Sequence, residues 1–190
     1  MDGCSVLPAI RVYSGVLFNP FDPDPELVSL QDIAHALSMV CRYAGHCHRF
    51  YSVGEHASYV SDCALERYGD CELALAALHH DDGEAYLGDM PRPYKRLFGT
   101  ARYEEPILRI VHKKLGLKDP EYYHERIKEC DNAVLRTEVE QIASRPEDAF
   151  QWFESTNLGD FERWEGNILG VDPGRALDMY RARDRELRRL

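Results

Sequence analysis

Between Leu78 and Lys95 the chain reads LHHDDGEAYLGDMPRPYK, and the residues best able to do chemistry are concentrated there. The apolar run Leu73–Leu78 leads into two histidines, then Asp81, Asp82 and Glu84, a Gly88-Asp89 turn, and a proline-punctuated basic segment with Arg92, Lys95 and Arg96. The adjacent pair His80-Asp81 suits a divalent metal better than it suits a core, since a buried carboxylate costs roughly several kcal/mol unless a cation pairs with it. Leu73, Ala77, His80 and Glu84 recur at i, i+4, i+7 and i+11, so one helical face passes from aliphatic to chemically active. Asp81 lies beside that face, while His79 and Asp82 point away from it.

A metal needs more ligands, and two other stretches supply candidates. His56 falls in the first turn of a helix opened by the capping pattern Ser52-x-x-Glu55, next to the apolar stripe Val53, Ala57, Val60, Ala64. Asp131 interrupts the stripe Tyr123, Ile127, Asp131, Val134, taking an apolar position where an unpaired carboxylate would be protonated or destabilising. Two imidazoles and two carboxylates from three helices bind Mn²⁺, Co²⁺, Fe²⁺ or Zn²⁺, with Mg²⁺ a further candidate, and leave positions open for water and a substrate oxygen. Cys41, His46, Cys47 and His48 also crowd together, but not at the spacing of zinc-binding cysteine pairs. They read as loop residues.

The elements that must position these groups are mainly helices. Residues 10–18 around Ser14-Gly15 predict a short hairpin, and the proline-rich run 19–25 a loop. Ser29-x-x-Asp32 reads as a capping box opening a helix of about fourteen residues. The helix after Ser52 ends at Gly69, and Asp70 caps the next one. Ile107, Ile110, Val111 and Leu115 predict a helix stopped by Gly116, and Asp119-Pro120 opens a long one. Helices are expected around 147–154 and 159–168, with bulk from Trp152, Phe153, Phe161 and Trp164. Asp172-Pro173 starts a last helix whose Arg and Asp residues read as a solvated face. The organisation expected is an arm over 1–28, a helical core over 29–145, and C-terminal helices over 146–190 packed on that core.

At 190 residues the chain reads as one domain, or one domain with appendages, and needs no metal or disulfide to fold. A net charge of −10 argues against a polymeric nucleic-acid partner, whose affinity comes largely from phosphate neutralisation. It leaves room for a small phosphorylated substrate. The N-terminus lacks the basic and apolar regions of a signal peptide, and no apolar run is long enough to span a bilayer. Six cysteines without a CxxC pair read as free thiols of a cytoplasmic protein.

The order H…HD…D in an all-α chain resembles the HD-domain phosphohydrolase superfamily over residues 45–140. The stretch from His80 to Lys95 is similar to the HDxxExxxGDxPxPxK segment of bacterial 5′-deoxynucleotidases and related phage dATP triphosphohydrolases. In those relatives the first histidine also follows a Ser-Val-x-Glu-His run, here Ser52–His56. The resemblance implies an HD-domain helical bundle with His56, His80, Asp81 and Asp131 on the metal, and Glu84 and Asp89 in the acid/base positions. It places Arg49 and Lys95 on the phosphate. Phe50 stands where the nucleotidases have a tryptophan near the nucleotide. A nucleotide substrate and a homo-oligomer, dimer or hexamer, are implied as well. The expected function is hydrolysis of a phosphate ester or anhydride of a (deoxy)nucleotide. The alternatives are a non-catalytic HD module that senses nucleotide and metal, or a bundle in which His80 and Asp131 form a buried ion pair without metal.

Overall fold

The computed structural model describes residues 8–142 and 162–190. Those residues are mostly helical, with one short antiparallel hairpin as the sequence predicts: β1 (Ile10–Arg11) pairs with β2 (Leu17–Phe18), Ile10 opposite Phe18. Gly15 makes the turn at φ 90°, a backbone region open mainly to glycine. The hairpin is fastened to α1 (Leu30–Met39) by Asp32, which accepts the Ser14 N–H at 2.7 Å and the Ser14 hydroxyl at 2.9 Å. Ser29 makes no side-chain cap bond, so Ser29-x-x-Asp32 is a tether to the hairpin rather than a capping box. The helix it opens has 10 residues, shorter than expected, because Val40 turns extended and bonds Val53 through its carbonyl at 3.0 Å.

The central element is α2 (Val53–Tyr68), which packs against α1, α3 (Cys71–Leu78), α7 (His124–Ile142) and α8 (Pro173–Leu187). The Ser52 hydroxyl accepts the Glu55 N–H at 3.1 Å, and Gly69 closes the helix at φ 60°. A Cβ at Gly54 would lie 3.3 Å from the α1 backbone at Leu37 and Ser38, so the absence of a side chain lets the two helices approach closely. Glu55 is fully buried and does not complete a capping box. It accepts the N–H groups of Gly170 at 2.8 Å and Val171 at 2.9 Å, and the Tyr59 hydroxyl. These bonds hold residues 162–172 against α2 without helix, so the helix expected over 159–168 is absent from 162 onward. Its first residues and the helix expected over 147–154, with Trp152, Phe153 and Phe161, lie outside the described residues.

Asp70 caps α3 by accepting the Leu73 N–H at 3.1 Å, but α3 stops at Leu78. His79–Gly83 form turns, and Glu84 opens the short α4 (Glu84–Leu87). The stripe from Leu73 to Glu84 is therefore broken at the point where the chemistry starts. The segment read only as basic forms α5 (Arg92–Phe98), followed by α6 (Ala101–Leu115), which ends at Gly116 as predicted. Asp119-Pro120 caps a 3-10 turn, Pro120–Tyr123, and α7 begins only at His124. The stripe Tyr123, Ile127, Asp131, Val134 is buried as expected.

The terminal regions are built into the core. Phe18, Val28 and Tyr180 share one apolar cluster with α1, and Trp164, Ile168 and Leu187 share another with α2 and α7. On α8, Asp184 is buried, which corrects the expectation of a wholly solvated acidic and basic face. No helix among the described residues is long and apolar enough to cross a membrane.

Candidate metal centre

His56 from α2, His80 from the turn after α3, and Asp131 from α7 bring one ligand atom each to within 4.8 Å of one another. His56 Nε2 lies 3.3 Å from Asp131 Oδ1 and 3.8 Å from Asp81 Oδ2, and His80 Nε2 lies 3.2 Å from the same Asp81 oxygen. Both Nε2 atoms are buried and lack a hydrogen-bond partner among the described residues. Their Nδ1 atoms point outward: His80 Nδ1 donates to the Ala77 carbonyl at 2.7 Å, and His56 Nδ1 donates to Glu138 Oε1. With Nδ1–H used in this way, each ring presents its lone pair on Nε2 to the common centre, the tautomer a metal requires. His56, His80 and Asp131 so arranged could hold a metal ion, with Asp81 beside them.

Glu138 anchors the inner side of this centre. It is fully buried, accepts Tyr51 and Tyr43 hydroxyls as well as His56, and pairs with Arg42 at 3.2 Å. Burial alone would raise its carboxyl, but Arg42 and then His56 hold it down at about 2. The Arg42 guanidinium also lies 3.8 Å from Asp81. Asp131 too is held well below the usual carboxylate range despite its burial, by His56, Lys128 and Arg92. Arg42 opens a 3-10 turn in which Tyr43 and Ala44 both have positive φ, at 56° and 50°. Such backbone costs about 1–3 kcal/mol per residue, and here it is spent where it aims Arg42 and Tyr43 at Glu138.

Glu84 lies next to the cluster. Burial and then Asp81 push its carboxyl well above the usual value, against Lys95, which donates to Oε1 at 2.7 Å and also reaches Glu104 at 3.0 Å. Its other oxygen, Oε2, is buried without a hydrogen-bond partner among the described residues. The Asp89 carboxyl is also raised, by burial, with Arg42 opposing and Asp81 adding to the shift. Arg92 from α5 donates to Asp131 Oδ2 at 2.8 Å, and Lys128 reaches the same oxygen at 3.2 Å. A cavity of about 460 Å³ opens beside these groups, walled by His80, Asp81, Glu84 and Asp131 and by Leu108 and Ile127 from α6 and α7. Its volume is in the range of small-ligand pockets, roughly 300–1,000 Å³.

The structure thus gathers His56, His80, Asp81, Asp131, Glu84, Asp89 and Lys95 in one place. It does not bring Arg49 there: that side chain is exposed and donates to the Ile168 carbonyl at 3.0 Å, beside half-buried Phe50. The arginines beside the centre are Arg42 and Arg92. Among the described residues, the cysteines and histidines of 41–48 form no metal-binding group. Sequence reasoning missed Glu138, although it continues the Tyr123–Val134 stripe at i+4 from Val134, so its polar type at a core position was a readable signal. Arg42 had no such signal, because its direction depends on two left-handed residues that are not glycine.

Fold and site together define a helical protein with a buried His/Asp centre able to hold a metal ion. The chain is 33% identical over 182 residues to YfdR, an uncharacterized protein of Escherichia coli (strain K12), with 95% of this chain and 96% of YfdR covered. It belongs to the YfdR family. It is also 37% identical over 141 residues to RCAP_rcc00048, an uncharacterized protein of Rhodobacter capsulatus, covering 70% of this chain and 72% of that one. No protein-family model matches the chain.

Proposed function

We propose that the chain is a divalent-metal-dependent phosphohydrolase of the HD type. It would hydrolyse a phosphate ester or anhydride of a (deoxy)nucleotide, as 5′-deoxynucleotidases and dATP triphosphohydrolases do, and serve nucleotide metabolism as a homo-oligomer. One observation carries the reading: two buried imidazole nitrogens, without hydrogen-bond partners among the described residues, converge with Asp131 and Asp81 beside Glu84, a carboxyl whose pKa is raised and which lines the same cavity. The nitrogen and oxygen donors suit Mn²⁺, Co²⁺, Fe²⁺ or Zn²⁺, with Mg²⁺ less well matched to imidazole. When bound, such an ion polarises phosphate oxygens and acidifies water.

The remaining chemistry belongs to the chain. A carboxyl with a raised pKa is a stronger base than an ordinary carboxylate, so Glu84, whose Oε2 has no hydrogen-bond partner among the described residues, serves as general acid/base, with Asp89 as second candidate. Lys95 orients Glu84 and offers its ammonium to an incoming phosphate. Glu138 and Ala77 fix the two imidazoles by their Nδ1–H groups. Leu108 and Ile127 give the cavity an apolar wall that excludes water from part of the substrate.

The test is a phosphate-release screen over dNMPs, NMPs, dNTPs and NTPs with Mn²⁺, Co²⁺, Zn²⁺ and Mg²⁺, with products separated by chromatography. Metal-dependent hydrolysis of at least one class is expected. Protein that holds metal yet turns over none of the panel would defeat the enzyme reading and leave the nucleotide or metal sensor.

A further inference from the structure

Behind the His80-Asp81 pair lies a second buried cluster that the proposed chemistry does not use. His79 and Asp82, the residues on either side of the pair, are both fully buried. His79 Nδ1 donates to Asp82 Oδ2 at 2.7 Å, and His79 Nε2 donates to Asp184 Oδ1 on α8 at 3.0 Å. The Tyr180 hydroxyl, also from α8 and fully buried, donates to Asp82 Oδ1 and sits 2.9 Å from His79 Nδ1. Arg188 Nε closes the far end by donating to Asp184 at 2.7 Å, and His112 Nε2 reaches the His79 carbonyl at 3.4 Å. Both oxygens of Asp82 and both nitrogens of His79 are therefore used.

We propose that His79, Asp82, Tyr180 and Asp184 are positioning residues, through which the C-terminal helix sets the geometry of the His80-Asp81 ligand pair. The inference rests on the metal reading above. His80 and Asp81 sit in turns, not in a helix, since α3 has ended at Leu78 and α4 starts only at Glu84. A turn has no continuous helical ladder to fix its backbone, so two ligands on one would be placed loosely unless their neighbours were anchored. Here both flanking residues are anchored, and to the same helix, about a hundred positions away in sequence (|i−j| of 105 for His79–Asp184 and 98 for Asp82–Tyr180). A fully satisfied buried polar network is directional and resists small displacements in a way apolar packing does not. An apolar pair at 79 and 82 would bury the same turn with less directional restraint on where His80 and Asp81 aim.

A brace that only stabilised the fold and one that positions ligands make different predictions. In the full-length chain, Tyr180→Phe removes one hydroxyl and Asp184→Asn removes one charge, both far from any metal ligand in sequence. Co²⁺ binding, followed by titration and by the visible spectrum of the bound ion, is measured well below each variant's melting temperature, alongside the melting temperature without metal. Arg175→Ala, at the exposed start of α8, is the control. Positioning predicts folded variants that bind Co²⁺ about 10–100-fold more weakly with an altered spectrum, the usual size of effects from groups that orient metal ligands. Variants that melt earlier but bind Co²⁺ with wild-type affinity and spectrum overturn the inference while leaving the metal centre intact. If the wild-type chain itself binds no Co²⁺, the metal reading fails, and this inference with it. Should Asp184→Asn fail to fold, Tyr180→Phe decides alone, since it deletes a single oxygen.

Discussion

The side chains of His56 and Glu138 meet through Nδ1 and Oε1, though they stand on different helices 82 residues apart, and both are fully buried. The contact fixes which nitrogen of His56 faces the cluster. It also gathers Arg42, Tyr43 and Tyr51 onto one carboxylate, so the inner side of the centre is a single network. Removing Glu138 leaves the Arg42 charge and two tyrosine hydroxyls without their acceptor. Glu138→Ala is expected to cost about 3–5 kcal/mol, the usual cost of stripping one partner from a buried ion pair. Urea denaturation monitored by circular dichroism measures it, and a loss under about 1 kcal/mol would show that the network relaxes freely.

Metal removal should be visible in stability. A ligand bound only by the folded state adds RT ln(1 + [L]/Kd), about 2.7 kcal/mol when the ion is at a hundredfold excess over its Kd. Dialysis against a chelator is therefore expected to lower the melting temperature, and Mn²⁺ or Co²⁺ to restore it. His80→Ala, Asp81→Ala and Asp131→Ala should lose the metal-induced shift. Persistence of the full shift in all three variants would place the ion elsewhere.

Glu84→Gln keeps the size of the side chain but cannot exchange a proton. It is expected to retain metal, by elemental analysis, and to lose about 10²–10⁴-fold in kcat. Unchanged turnover would remove Glu84 from the proton transfer and turn attention to Asp89.

Arg92 places a positive charge on Asp131 Oδ2, the carboxylate that also faces His56. Its guanidinium opposes a second cation there, so Arg92→Ala should tighten divalent-metal binding, on the order of tenfold at low salt and less at high salt. Titration at two ionic strengths reads this out. Weaker binding in the variant would mean that Arg92 instead holds Asp131 in its ligating orientation.

Glu55 carries the C-terminal segment on two backbone N–H groups and the Tyr59 hydroxyl. Glu55→Ala leaves them buried without an acceptor, at about 1–3 kcal/mol for each group that water cannot reach. Denaturation should show a clear loss of stability, and hydrogen exchange should show faster exchange at Gly170 and Val171. Wild-type protection there would mean that Trp164 and Ile168 suffice to hold the segment.

By itself the sequence determined the helical class, the hairpin at Ser14-Gly15, the ends of α2 at Ser52 and Gly69, the stop at Gly116, and the placing of His56 and Asp131 on or next to buried stripes. Those features depend on near neighbours: a hydroxyl that reaches an N–H three residues on, a glycine that accepts positive φ, an apolar period of three to four. Tertiary structure decided what local chemistry leaves open. Asp32 and Glu55 both stand three residues after a serine, yet neither completes a capping box, because the hairpin and the segment at 170–171 offer them N–H groups over long range. Arg42 enters the centre and Arg49 does not, because the turn between them is held in left-handed backbone by contacts with Glu138. Asp184 is buried beside His79 rather than solvated because α8 returns to the turn that carries His80 and Asp81. A carboxylate takes whichever donors the fold brings to it, and donors about a hundred residues away leave no period or spacing in the chain.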